Sequence, residues 1–120
     1  MSIAAIVVAA LVALLHVYFM VLEMFLWTTP YGQKTFGRTA EQQIASASLA
    51  KNQGLYNGFL AAGLVWSLVA APAMTHPLRA FFLGCVLVAG VYGSITVSRK
   101  ILFVQALPAA IGLALDIASR

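Results

Sequence analysis

A few polar residues cut this chain into four apolar runs, and those runs leave it little choice of fold. The first extends from about Ile3 to Trp27, the second from about Gln53 to Met74, the third from about Ala80 to Ser98 and the fourth from about Ile101 to Ser119. At about 1.5 Å per residue each can cross a hydrocarbon core about 30 Å thick, the fourth with little to spare. Charged residues make up 8% of the 120-residue chain and hydrophobic ones 62%, too little charge to coat a soluble domain of this length. In a bilayer the backbone finds no water to bond, so the runs are expected as helices. The expected fold is all-α: an integral membrane antiparallel four-helix bundle, one domain over residues 1–120, with a cytoplasmic loop at 28–52.

The first run resembles a signal peptide in position only. No charged side chain precedes it, and it is longer than a secretory apolar core of about 7–15 residues. It is expected as a retained span. Between the runs, "TTPYG" is expected to stop the first helix, through Pro30 and Gly32. The polar segment from Tyr31 to Leu49 contains Lys34, Arg38 and Glu41, and its part from Thr39 to Ala50 reads as a short interfacial helix capped by Thr39. "MTHPLR" reads as a tight turn in which Pro77 ends the helical pattern, and "SRK" at 98–100 separates the last two runs. Links this short make neighbouring helices antiparallel.

Charge then sets orientation. The net charge of +4 is scattered between apolar runs rather than gathered into a patch, so no nucleic-acid partner is expected; the bilayer is the expected partner. Lys34, Arg38, Lys51, Arg99 and Lys100 fall on one side, against Arg79 and Arg120 on the other. The positive-inside rule puts the five in the cytoplasm and both termini outside, in a bacterial inner membrane. The lone Cys85 matches no disulfide or zinc spacing and reads as packing.

Folded this way, the polar residues converge at the cytoplasmic end. Glu23 lies about a turn inside the first run, Asn52, Gln53, Tyr56 and Asn57 open the second, and Gln105 lies a turn into the fourth. Tyr92, Thr96 and Arg99 share one face of the third, at spacings of four and three. The opposite halves look almost free of polar groups. A carboxylate at this depth needs a partner, and Arg99, beside Lys100, is the expected one, because a guanidinium bonds bidentately and stays charged. The bland alternative leaves Glu23 snorkelling beside Trp27. His16, seven residues before Glu23, reads as a neutral hydrogen bonder on the same face. His76 lies on the far side and Cys85 is poorly placed, so no metal or other cofactor is expected. In "KNQGLYNG", Gly54 and Gly58 have the small-xxx-small spacing of close helix approach, and the amides beside them suggest a hydrogen-bonded crossing; "GVYG", with Gly90 and Gly93, is similar.

The stretches "HVYFMVLEMFLWTTPYGQKTFG", "LAKNQGLYNGFLAAGL" and "FFLGCVLVAGVYGSITVSRKILFVQALPA" resemble a bacterial membrane family, domain of unknown function 1304, over nearly the whole chain. The resemblance implies a small four-helix inner-membrane protein and no particular activity. Its motif-bearing positions are His16, Glu23, Trp27, Asn52, Gln53, Tyr56, Asn57, Tyr92, Arg99, Lys100 and Gln105, the residues expected to meet a solute. The architecture also looks like the membrane-associated proteins of eicosanoid and glutathione metabolism, which are trimeric helical bundles. Their arginine- and glutamate-bearing second helix has no counterpart in "LAKNQGLYNG".

Three classes of function fit these residues. One is a protein that binds or transports a small polar or amphipathic solute through a cytoplasm-facing polar vestibule, as a homodimer or homotrimer. The second is a membrane enzyme on an amphipathic substrate, with Glu23 or His16 as acid or base, for which no nucleophile motif or cofactor loop is present. The third is a structural or accessory bundle whose polar residues only fix packing.

Overall fold

A computed structural model describes residues 2–120. They form helices α1 (Ile3–Phe25), α2 (Pro30–Phe36), α3 (Ala40–Ala45), α4 (Ala47–Val69) and α5 (Pro72–Thr96), then a π-helical turn (Leu102–Ala106) that runs directly into α6 (Leu107–Ala118). The protein is all-helical, and no strand occurs among the described residues. By length and composition α1 and α5 can cross a membrane; Leu102–Ala118 is a shorter apolar helix. The polar N-terminal half of α4 sets that helix apart from the other two long ones.

The chain divides into two compact units, Met1–Leu14 with Leu60–Arg120, and Leu15–Phe59. The core of the larger unit is built from Val12 and Ala13 of α1, Leu64 of α4, Leu83 and Val86 of α5 and Ala109 of α6. Small residues let backbones meet there. A Cβ on Gly90 would lie 2.5 Å from the Ala106 nitrogen, so α5 and the π-helical turn touch main chain to main chain. The "GVYG" expectation of close approach is met at Gly90, and at Gly93 against the Ile101 side chain.

The smaller unit holds the connection after α1. Thr29 caps α2, its Oγ1 accepting from the Gly32 amide at 3.3 Å, and Gly37 ends that helix at φ 61°, a left-handed position that suits glycine. Thr39 caps α3 as expected and forms a capping box with Gln42. Gln43 is fully buried, and its Nε2 donates to the Trp27 carbonyl at 2.9 Å and the Gly32 carbonyl at 3.4 Å.

The prolines correct the sequence reading twice. The first helix already ends at Phe25, and Pro30 opens α2 instead of stopping α1. Proline suits the first helical turn, whose amides have no intrahelical acceptor anyway. Likewise Pro72 opens α5, and the break between α4 and α5 falls at Ala70–Ala71, so "MTHPLR" is helical and Pro77 lies inside α5. There it forgoes the one backbone bond to the carbonyl four residues back. The segment after Ser46 also differs: α4 starts at Ala47, so Asn52 and Gln53 lie within it, and the interfacial helix stops at Ala45. "SRK" does follow the end of α5.

Candidate functional site

Two polar centres interrupt the apolar helices, one in each unit. In the smaller unit Glu23 of α1 meets Asn57 of α4, whose Nδ2 donates to Glu23 Oε1. Gly54 and Gly58 bring the helices together. A Cβ on Gly54 would reach the Met24 side chain at 2.7 Å and the Met20 carbonyl oxygen at 3.1 Å, and one on Gly58 the Met20 sulfur at 2.8 Å. This is the hydrogen-bonded crossing that "GLYNG" suggested. Asn57 is buried and Glu23 half-buried. His16 is fully buried, its ring edge-on to Phe19 at 5.3 Å. Trp27 packs on Phe36 at 4.6 Å and donates from Nε1 to Ser46 Oγ at 3.1 Å, with the Arg38 guanidinium 6.0 Å from the ring. Asn52, Gln53 and Tyr56 are exposed on α4.

The remaining expected site residues belong to the larger unit. Tyr92, Arg99 and Lys100 are exposed, and Gln105 is half-buried within the π-helical turn. The ion pairs among the described residues all converge on Asp116, within the larger unit, and within the smaller unit Glu23 accepts from the Asn57 amide.

The second centre, around Asp116, overturns the expectation that the outer halves of the runs hold almost nothing polar. Asp116, in the last turn of α6, is 0% exposed and accepts from three basic side chains. His76 Nδ1 lies 2.7 Å from Oδ1, Arg79 Nη1 3.5 Å from Oδ1, and Arg120 Nη2 3.3 Å from Oδ2. Arg79 is also 0% exposed, and its Nη2 donates to the Ser67 carbonyl of α4 at 3.4 Å. Carbonyls in the last turn of a helix have no intrahelical donor, so Arg79 supplies one from a neighbouring element. His76 and Arg120 are partly open, at 27% and 47% exposure. Sequence reasoning passed over this cluster. The available signal was local: His76 and Arg79 share a face at spacing three, as do Asp116 and Arg120 at spacing four.

A family model described as a protein of unknown function, DUF1304, matches residues 10–117. The chain belongs to the DUF1304 family. A similar protein is YpaA of Lactococcus lactis, described as uncharacterized; it is 35% identical over 107 residues, which cover 88% of this chain and 89% of that protein. No solved structure matches the chain. The DUF1304 match takes in Glu23, Asn57, His76, Arg79 and Asp116 and stops short of Arg120.

Proposed function

We propose that this DUF1304 protein is a multi-pass protein of the bacterial inner membrane, a four-helix bundle with both termini outside, which binds or carries a small polar or amphipathic solute. Its surface supports the membrane reading. Ile3, Leu11, Leu14, Phe81, Val88, Ile95 and Phe103 are all exposed, and apolar side chains spread this widely over helices suit lipid better than water. The larger unit's core, drawn from α1, α4, α5 and α6, supports the bundle. A homodimer or homotrimer remains part of the proposal, to be read by native mass spectrometry from nanodiscs.

The observation that carries the solute reading is the Glu23–Asn57 bond. A carboxylate in an apolar helix is costly to bury, and such groups commonly mark solute pathways. Asn57 occupies one lone pair, which leaves acceptor capacity on Glu23 for a solute bearing N–H or O–H groups. The fit of Gly54 and Gly58 against Met20 and Met24 favours a second reading, in which the pair serves only to lock α1 to α4. Thermal-shift measurements on the purified protein separate the two, with amino acids, polyamines and glutathione as probes. The solute reading expects at least one probe to stabilise the native chain and to lose that effect in Glu23→Gln. If no probe shifts the native chain while Glu23→Gln still unfolds more easily, the packing reading replaces it.

A further inference from the structure

The Asp116 cluster lies outside the proposed solute site, and its geometry has a direction. Asp116 is closed off, with its oxygens engaged by groups from two elements: His76 and Arg79 of α5, and Arg120 after α6. Arg79 is pinned a second time by the Ser67 carbonyl of α4. A guanidinium stands against each oxygen, and an ionised carboxylate is acceptor-only. The 2.7 Å contact then requires the proton of a neutral His76 ring to sit on Nδ1, which leaves the lone pair on Nε2. The ring is 27% exposed, while the carboxylate that orients it is not exposed at all. A carboxylate behind an imidazole fixes the tautomer and the ring orientation. The segments of α1 and α4 in the larger unit, Ile3–Leu14 and Leu60–Val69, carry no ionisable side chain, and Arg99 and Lys100 lie beyond the opposite end of α5.

We propose that His76 and Asp116 form a proton-accepting site for a protic ligand, a water or a hydroxyl compound, with His76 Nε2 as the acceptor and Asp116 and Arg79 as positioning residues. The ligand hydroxyl donates to Nε2. Where the proton transfers, the O–H bond breaks, its electron pair stays on oxygen, and the imidazolium formed remains paired with Asp116.

Nitrogen NMR on the full chain in nanodiscs tests this, with label confined to its two histidines and the His76 signals assigned through His76→Gln. The expected result at neutral pH is the Nδ1–H tautomer for His76. Acylation by diethyl pyrocarbonate, which attacks a free imidazole nitrogen, provides the second readout: His76 reacts and the fully buried His16 is protected. Asp116→Asn is expected to lose the tautomer preference and to slow acylation about tenfold, the lower end of what loss of an orienting carboxylate costs. Because that variant also strands Arg79, Arg120→Gln serves as the folded control, with tautomer and acylation retained. An Nε2–H tautomer in the native chain, or a His76 no more reactive than His16, overturns the proposal whatever the variants do.

Discussion

At the scale of single residues, Asp116 and Glu23 make opposite demands on their surroundings. Asp116 accepts from three basic groups, and its loss leaves the Arg79 guanidinium, which is 0% exposed, without its carboxylate. Asp116→Asn is therefore expected to destabilise the protein by about 3–5 kcal/mol, the range for breaking a buried ion pair on one side. Arg120→Gln removes a half-exposed partner and is expected to cost no more than about 1 kcal/mol. Unfolding of the purified protein in detergent measures both. Glu23 depends on one neutral amide, so a double-mutant cycle of Glu23→Gln and Asn57→Leu is expected to give a coupling of about 0.5–3 kcal/mol. The same cycle run between Glu23 and Arg99 tests the ion pair expected from the sequence, which a coupling near zero would end. The difference also explains what the sequence disclosed. Glu23 stood out because an acid inside the longest apolar run needs donors, and amides clustered at one end of α4. Asp116 did not, because its aspartate–arginine spacing at the end of an apolar helix looks like an ordinary surface pair. Its other partners, His76 and Arg79, lie on α5, His76 being 40 residues away, and no periodicity links them to it.

At the scale of elements, helices were legible wherever apolar runs excluded every other conformation, and their ends were not. A proline leaves the same mark on a sequence whether it follows a helix, opens one or sits a turn and a half inside. Pro30 and Pro72 open helices and Pro77 lies inside one, and only the packing of neighbouring segments separates those cases. The π-helical turn at Leu102–Ala106 was equally hidden. It packs on Gly90, whose missing side chain leaves room for Ala106. Gly90→Ala places a methyl 2.5 Å from the Ala106 nitrogen and 2.8 Å from its Cα, and backbone cannot swing aside. The expected cost is about 1–3 kcal/mol, as for other overpacked sites. Gly84 in the same helix has open space around its missing Cβ, so Gly84→Ala is expected to be neutral or to stabilise by about 0.4–1 kcal/mol. Equal effects in the two variants would mean that the contact with Ala106 does not decide the outcome.

At the scale of the whole molecule, the proposed membrane orientation rests on charge, and the buried cluster bears on it. Orientation was argued from five lysines and arginines on one side against Arg79 and Arg120 on the other. Both of the latter pair with Asp116, and Arg79 has no exposed surface, so neither stands as an unopposed charge near the headgroups. Lys34, Arg38, Lys51, Arg99 and Lys100 take part in no ion pair among the described residues. The free positive charge is therefore more one-sided than the residue count, and the prediction of both termini outside gains from it. Accessibility labelling in whole cells checks it on a Cys85→Ala background, with single cysteines at Thr35 and Ala118, both exposed. A thiol reagent that cannot cross the inner membrane is expected to label Ala118→Cys in intact spheroplasts and Thr35→Cys only after lysis. The reverse pattern would invert the topology and place His76 and Asp116 at the cytoplasmic end. Labelling of both positions in intact spheroplasts would contradict the number of crossings itself, because the three spans proposed between Thr35 and Ala118 put them on opposite sides.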